Sequence, residues 1–255
     1  MIRHNTALLR IERVSKAFDG LQALDDVSFS VGAGELVALI GPNGAGKTTC
    51  FNIINGQLAP DAGSVWLSAE RIDGWTPQRI ALAGVGRTFQ TAASFASMTA
   101  RENVQLAMLT GSGEHESLGR RLASARRTEA DALLARVGAG SLAGQRCAAL
   151  AYPDLKRVEL AVALAHANGA PRLLLMDEPT AGTAPRDRAS VMELVTTLVR
   201  DTGAASLFTE HDVDVVFRFA ARVIVLDRGR IIADGPPAAV RADPRVQAVY
   251  LGIEA

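Results

Sequence analysis

Charge of neither sign is in excess in this chain: 27 lysines and arginines stand against 27 aspartates and glutamates. With no net field, composition offers no general attraction to nucleic acid or to an anionic membrane surface. The basic stretch Arg120, Arg121, Arg126 and Arg127 reads as the solvated face of an alanine-rich helix, and no nucleic-acid partner is expected there. Cysteine is scarce too. Cys50 and Cys147 stand far apart with no partner motif, and read as core or near-surface thiols of a reducing compartment. Long apolar runs are missing: none approaches the ~18 residues of a membrane span. The N-terminus lacks the apolar core of a signal peptide. The expectation is that any service to a membrane is rendered from the cytoplasmic face, by docking onto another chain.

What is present is enough for one large α/β domain with a subdomain inserted, at 255 residues. Short apolar runs bounded by glycine, aspartate or proline dominate both ends. Residues 8–14, 27–31, 35–40 and 64–67 read as strands, as do 172–176, 206–209, 223–226 and 230–233. Between 94 and 166 alanine, leucine and arginine at helical spacing take over, with helices expected at 101–109, 126–137 and 156–165. Glycine-rich stretches at 111–113 and 138–144 punctuate them. The division expected is an α/β core over 1–93 and 167–255, with a helical insertion over about 94–166. There are no repeats or low-complexity tracts.

The most specific signal is a complete G-x-x-x-x-G-K-[ST] loop, Gly41, Pro42, Asn43, Gly44, Ala45, Gly46, Lys47 and Thr48, followed by Thr49. It sits between a strand over 35–40 and a helix over 48–55, the context that separates this motif from a chance match. Its glycines let backbone N–H groups curl around a polyphosphate, and the helix N-terminus adds its positive dipole end. Lys47 can reach β- and γ-phosphates, and the Thr48 hydroxyl is placed to ligate Mg²⁺. The pattern predicts a nucleoside-triphosphate site.

A second signal is the apolar run Leu173, Leu174, Leu175, Met176 ending in Asp177, Glu178 and Pro179. In a parallel sheet beside the phosphate loop, Asp177 emerges where a metal sits and can hold Mg²⁺ directly or through water. Glu178, one residue on, can act as general base toward an attacking water. His211 follows another short apolar run, at the strand edge where such sheets deliver their chemistry, and is a candidate γ-phosphate contact.

Together these segments resemble the ATP-binding subunits of ABC transporters, over essentially the whole chain. The resemblance implies the P-loop NTPase ABC-ATPase fold: a mainly parallel core sheet, an antiparallel β subdomain and an inserted α-helical subdomain. It implies ATP and Mg²⁺ as ligands. Phe18 matches the aromatic that stacks on adenine, with an ordinary half-buried core ring as the alternative. Gln90, in Arg87-Thr88-Phe89-Gln90, matches a glutamine that contacts Mg²⁺ and senses the transmembrane subunit. Asp177, Glu178 and His211 match the metal, base and switch positions. Arg87–Gln90, the stretch from Glu210 to Phe217, and the tail from Arg241 through Tyr250 and Gly252 look like the branched-chain amino-acid importer ATPases. That branch implies a second ATPase subunit, two transmembrane permease subunits and a periplasmic or extracellular solute-binding protein.

The sequence departs from that family at its signature loop, which falls on Leu150, Ala151, Tyr152, Pro153 and Asp154, followed by Leu155. Alanine replaces a serine. Pro153 replaces a glycine whose N–H would face the γ-phosphate, and proline has no N–H; it does suit the first turn of a helix from about 154 to 165. Leu155 stands where glutamine is usual. Because such sites pair one subunit's phosphate loop with its partner's signature, a homodimer would carry the defect twice, whereas a heterodimer keeps one intact site. A heterodimer is therefore expected. The turn at 181–185 also deviates, with Thr183 and Ala184 expected to alter subunit contacts. Residues 91–99, with Phe95 and Met98, read either as a docking surface for a permease helix, flanked by exposed Arg101 and Glu102, or as a packed loop.

Two other function classes remain: a nucleotide-gated assembly module with weak hydrolysis, and a soluble ABC ATPase of repair or translation. The second generally needs duplicated cassettes or a long coiled coil, and neither is present. No Asn-Lys-x-Asp motif supports guanine recognition.

Overall fold

The computed structural model describes residues 7–88, 95–112, 126–167 and 170–251. Its chain opens with β1 (Ala7–Phe18) and β2 (Leu21–Gly32), longer than their apolar runs. Asp19 and Gly20 join them with φ of 47° and 85°, the pair of left-handed residues that a tight hairpin needs to match strand twist. Phe18 is thereby held at the hairpin tip. With β4 (Ala62–Leu67) and β5 (Glu70–Arg71) these strands form an antiparallel sheet in the order β2-β1-β4-β5.

The second sheet runs β10-β9-β3-β8-β7-β6. Its members are β3 (Leu36–Ile40), β6 (Val85–Arg87), β7 (Leu173–Asp177), β8 (Ala205–Thr209), β9 (Arg222–Asp227) and β10 (Arg230–Gly235). Among the described residues, every pairing within it is parallel except β9 with β10. Strands β3, β7 and β8 are buried at all five positions, which is why β3 reads as an unbroken apolar run and β7 as one up to Asp177. Alternate residues still serve opposite faces. Ala38, Ile40, Leu174 and Met176 join one core cluster, while Val37, Leu39, Leu173 and Leu175 join the other.

The second of those clusters is completed by the antiparallel sheet and by α1 (Lys47–Ile54), through Phe51 and Ile54. The first is completed by α3 (Ala100–Ser112), α4 (Arg127–Arg136), α5 (Tyr152–His166) and α6 (Pro185–Thr202). Helix α2 (Pro77–Leu82) is capped by Thr76, whose side chain accepts the Arg79 N–H. Helices α7 (Val213–Phe219), α8 (Pro237–Ala242) and α9 (Pro244–Leu251) finish the chain against β3, β9 and β10.

The mixed α/β architecture agrees with the expected fold, and the short strand β6 and the long helix α6 are additions. Arg101 and Glu102 correct the expectation of exposed charges beside a docking surface. Arg101 Nε lies 2.6 Å from Asp131 Oδ1, and Glu102 accepts both the Thr99 N–H at 2.7 Å and the Thr99 hydroxyl at 2.9 Å. The Thr99 hydroxyl in turn accepts the Glu102 N–H, so the pair forms a capping box for α3. Phe95 is 57% exposed, while residues 91–94 lie outside the described residues.

Candidate functional site

Strands β3, β8 and β7 are adjacent and parallel, so the loops after Ile40, Thr209 and Asp177 leave one edge of the sheet side by side. Residues far apart in the chain meet there. They line a cavity of about 360 Å³ with Phe18, Ala23, residues 43–49, Glu178 and His211 on its walls. That volume lies within the usual range for small-molecule sites.

The phosphate loop requires glycine at two points because other backbone comes too close. A Cβ on Gly41 would stand 2.1 Å from the Leu226 carbonyl oxygen of β9. One on Gly46, at φ of +105°, would stand 2.4 Å from the Ala23 carbonyl oxygen of β2. The loop is thus clamped between both sheets. Gly46 caps α1 with no side-chain hydrogen bond, and no acidic residue occupies the first turn. The opening N–H groups of that helix are left for an incoming anion.

Lys47 folds back over its own loop. Its Nζ donates to the carbonyl oxygens of Gly41 at 2.6 Å and Pro42 at 3.0 Å. Burial lowers its pKa below the ordinary lysine value, and the nearby carboxylates of Glu178 and Asp177 partly restore it. A desolvated ammonium facing two carboxylates is a group whose charge a polyphosphate would stabilise. Cys50, three residues along α1, is sealed: burial pushes its thiol up to about 12, so it packs and does not react.

Asp177 ends β7 almost fully buried. Its Oδ1 accepts the Thr209 hydroxyl at 2.6 Å, and its Oδ2 lies 3.8 Å from Arg87 Nη2. Glu178 turns the chain sharply, with φ of +50°. That left-handed conformation costs a non-glycine residue about 1–2 kcal/mol. Two acceptors offset it: the Glu178 N–H points to both the carbonyl and the hydroxyl oxygen of Thr209, each at 3.1 Å. The turn swings the carboxylate into the cavity, where Glu178 Oε1 lies 2.9 Å from His211 Nε2. A neutral imidazole carrying its proton on Nε2 makes this a donated hydrogen bond.

Phe18 is 42% exposed at the hairpin tip, with the Lys16 ammonium 5.6 Å from its ring centre. A ring so open is no core residue. Thr48 and Thr49 line the cavity, the first of them exposed. Gln90 lies outside the described residues.

The donors suit Mg²⁺ only in part. Among the described residues no cluster of three or more His, Cys, Asp or Glu side chains could hold a metal. Mg²⁺ tolerates this, because it keeps several waters and takes one or two protein ligands plus phosphate oxygens. Thr48 and Asp177 match such a sparse site.

The loop 150–154 stands apart from the cavity and lines none of it. Helix α5 starts at Tyr152, two residues earlier than expected, with Ala151 as a cap lacking a side-chain hydrogen bond and Pro153 in the first turn. Leu150 packs against the first core cluster, and Tyr152 is 41% exposed. Asp154 lies 3.9 Å from Arg157 one turn on. The expectation that Thr183 and Ala184 alter subunit contacts needs correction for Thr183. That side chain is 5% exposed and donates to the Thr180 carbonyl oxygen at 2.6 Å, so it points inward.

Three residues of the site were not singled out by the sequence. Arg87, read only as part of a motif, is buried and donates to Asn52 Oδ1 at 2.9 Å and Gln57 Oε1 at 3.2 Å besides facing Asp177. Thr209 ties Asp177 to Glu178. Tyr250 of α9 receives the Gly41 N–H on its hydroxyl, while burial raises its pKa. Each depends on a neighbour distant in sequence, and no local pattern marks it.

Comparison with known proteins agrees with this geometry. A family model described as ABC transporter matches residues 24–181, and one described as branched-chain amino acid ATP-binding cassette transporter matches residues 230–255. The chain is 35% identical to the high-affinity branched-chain amino acid transport ATP-binding protein LivG of Salmonella typhimurium, covering 96% of this chain and 98% of that one. It is 39% identical to a phosphonates import ATP-binding protein, PhnC 1, of Rhodopseudomonas palustris, over 92% of this chain and 84% of that one. Among solved structures, the ADP conformation of an ATP-binding cassette from an ABC transporter superposes with a TM-score of 0.86 at 31% identity, covering 97% of this chain and 99% of that one. This chain belongs to the ABC transporter family of ATP-binding cassettes, and its reaction is the hydrolysis of ATP.

Proposed function

We propose that this cassette powers uptake of branched-chain or other hydrophobic amino acids, or closely related small solutes. The tail supports that cargo class, because the branched-chain family model falls there on residues 230–255. Overall identity does not decide it, since the phosphonate relative is as similar as LivG. No helix of the described residues is long and apolar enough to cross a membrane. The cassette on this reading works at the cytoplasmic face, docked on two permease subunits that receive solute from a binding protein. Helices α3 to α5, between β6 and β7, form the inserted helical unit of about 94–166.

The observation that carries the catalytic reading is the 2.9 Å contact between Glu178 and His211 across the phosphate-loop cavity. The adenine ring stacks on Phe18, and the loop 41–49 wraps the phosphates. Lys47 exchanges the Gly41 and Pro42 carbonyls for phosphate oxygens. Glu178 accepts a proton from the attacking water, and His211 Nε2 turns from Glu178 toward the γ-phosphate. Thr48, Asp177 and Gln90 would hold Mg²⁺, which supplies neutralisation of charge developing on the β- and γ-phosphate oxygens.

The signature departures shape the partnership. Pro153 removes one N–H from the first turn of α5, and Ala151 supplies no hydroxyl. A heterodimer with a second cassette keeps one fully equipped ATP site, built from this chain's Lys47 and the partner's signature. The same loss also favours a second reading, a module for which ATP is chiefly a dimerising ligand. Glu178→Gln in the assembled transporter separates the two. A fall in turnover of about a hundredfold or more, the scale of general-base catalysis, is expected with nucleotide affinity retained. Unchanged turnover with ATP-dependent assembly would establish the module instead.

A further inference from the structure

Glu210 stands one residue before His211 and lines no part of the phosphate-loop cavity. Its side chain is 6% exposed, an unusual setting for a carboxylate. It is buried for a reason visible in its partner: Oε1 accepts the backbone N–H of Thr180 at 2.7 Å. Thr180 is 2% exposed and opens the turn that follows Glu178 and Pro179. The turn is closed on itself by the N–H and hydroxyl of Thr183, which both donate to the Thr180 carbonyl oxygen, at 3.1 and 2.6 Å. One carboxylate thus suspends a whole turn from the neighbouring loop.

The far side of that turn is equally constrained. Gly182, at φ of +74°, lies so close to Tyr152 that a Cβ there would meet the ring at 2.5 Å. Tyr152 is the first residue of α5, in the segment that departs from the family signature. A continuous path of contacts therefore runs from His211 through its chain neighbour Glu210 to Thr180, then across the turn to Gly182 and Tyr152. The middle of that path, Glu210 and Thr180, is buried, and packed groups of this kind shift together.

We propose that Glu210 is a positioning residue that couples the γ-phosphate contact at His211 to the 180–184 turn and, through it, to the head of α5. The proposal rests on the reading of His211 as a phosphate contact. When His211 moves toward phosphate, the backbone of Glu210 moves with it. The Thr180 N–H follows its acceptor, and the turn shifts against Tyr152. ATP occupancy in the cavity is thereby felt at a segment that lines none of it. The carboxylate supplies reach and an acceptor oxygen, both of which glutamine also supplies.

The test uses the assembled transporter with wild type, Glu210→Gln, Glu210→Ala, His211→Ala and the Glu210→Ala/His211→Ala double variant. Amide hydrogen exchange over 180–184 is measured with and without ATP, beside kcat and KM for ATP. ATP is expected to slow exchange in wild type and Glu210→Gln and to leave it unchanged in Glu210→Ala. Glu210→Ala is expected to lower kcat about tenfold with KM within about twofold, the scale of one lost hydrogen bond to a charged group. In the His211→Ala background the same substitution should cost less than about twofold.

Three results would overturn the coupling: ATP-dependent protection that survives in Glu210→Ala, a Glu210→Gln variant as impaired as Glu210→Ala, or losses that simply multiply in the double variant. Should Glu210→Ala fail to assemble, Glu210→Met, which keeps the reach and removes the acceptor oxygen, takes its place in each of these comparisons. A His211→Ala variant with undiminished kcat would instead sink the phosphate-contact reading, while the exchange measurement judges Glu210 separately.

Discussion

Arg87 Nη2 lies 3.8 Å from Asp177 Oδ2, and both side chains are 8% exposed. The guanidinium also holds Asn52 of α1 and Gln57 just beyond it, so it links the helix of the phosphate loop to the strand bearing the acidic pair. Burial lowers its pKa while Asp177 raises it again. Arg87→Ala would leave a buried carboxylate facing empty space. A loss of about 3–5 kcal/mol is expected on the scale of a broken buried pair. Urea unfolding of the isolated cassette measures it, and a midpoint equal to wild type would refute the structural role. Arg87→Lys should restore only part, since lysine lacks the planar fork that reaches three acceptors.

The signature departure can be reversed. Pro153→Gly with Leu155→Gln restores one backbone N–H and one amide side chain at the head of α5. Hydrogen bonds to a charged group are worth about 1.5–3 kcal/mol each. Recovering two would raise turnover by about two to four decades if they added simply. In the assembled transporter a rise of even tenfold would establish the departures as functional. No change would mean that this loop never meets phosphate.

The Tyr250 hydroxyl, accepting the Gly41 N–H, fixes the first residue of the phosphate loop from the last described helix. Tyr250→Phe keeps the ring among its apolar neighbours and leaves a buried N–H without its acceptor. Nucleotide affinity should fall about three- to tenfold, the equivalent of roughly 1 kcal/mol. Titration with a fluorescent ATP analogue reads this directly, and the thermal midpoint should shift little. Wild-type affinity in the variant would show the loop to be held without α9.

Glu210 also makes stability depend on pH in a definite direction. Burial, with Glu178 nearby, raises its pKa above the ordinary glutamate value. The folded state then binds the proton more tightly than the unfolded chain. Its contribution to stability is complete below the unfolded pKa and is lost as pH rises through the folded one. Glu210→Gln, which cannot ionise, should therefore gain in thermal midpoint relative to wild type as pH rises across that window. At lower pH the two should converge. A difference that stays constant with pH would contradict the assigned shift.

Much of the site was legible because its signals are local. The phosphate loop needs glycine where backbone crowds it, at Gly41 and Gly46, and that demand is written into consecutive residues. The acidic pair at 177 and 178 follows an apolar run that burial on both faces requires. What stayed hidden depends on contacts between distant segments. The strand β6 is three residues long, too short for any period, and exists because β7 pairs with it. Thr183 looked like a surface change, yet its hydroxyl finds the Thr180 carbonyl and the side chain turns inward.

The sequence alone pointed to a triphosphate-binding loop and to the acid and histidine that line the same cavity, because these signals follow from residue type and spacing within short segments. Only the tertiary structure decided who steadies those groups. Strand order set β8 between β3 and β7, so Thr209, Glu210 and His211 arrive against Asp177 and Glu178, and the C-terminal helix brought Tyr250 to Gly41. Such pairings are fixed by the folding of the sheet and the packing of helices on it, which no stretch of neighbouring residues encodes.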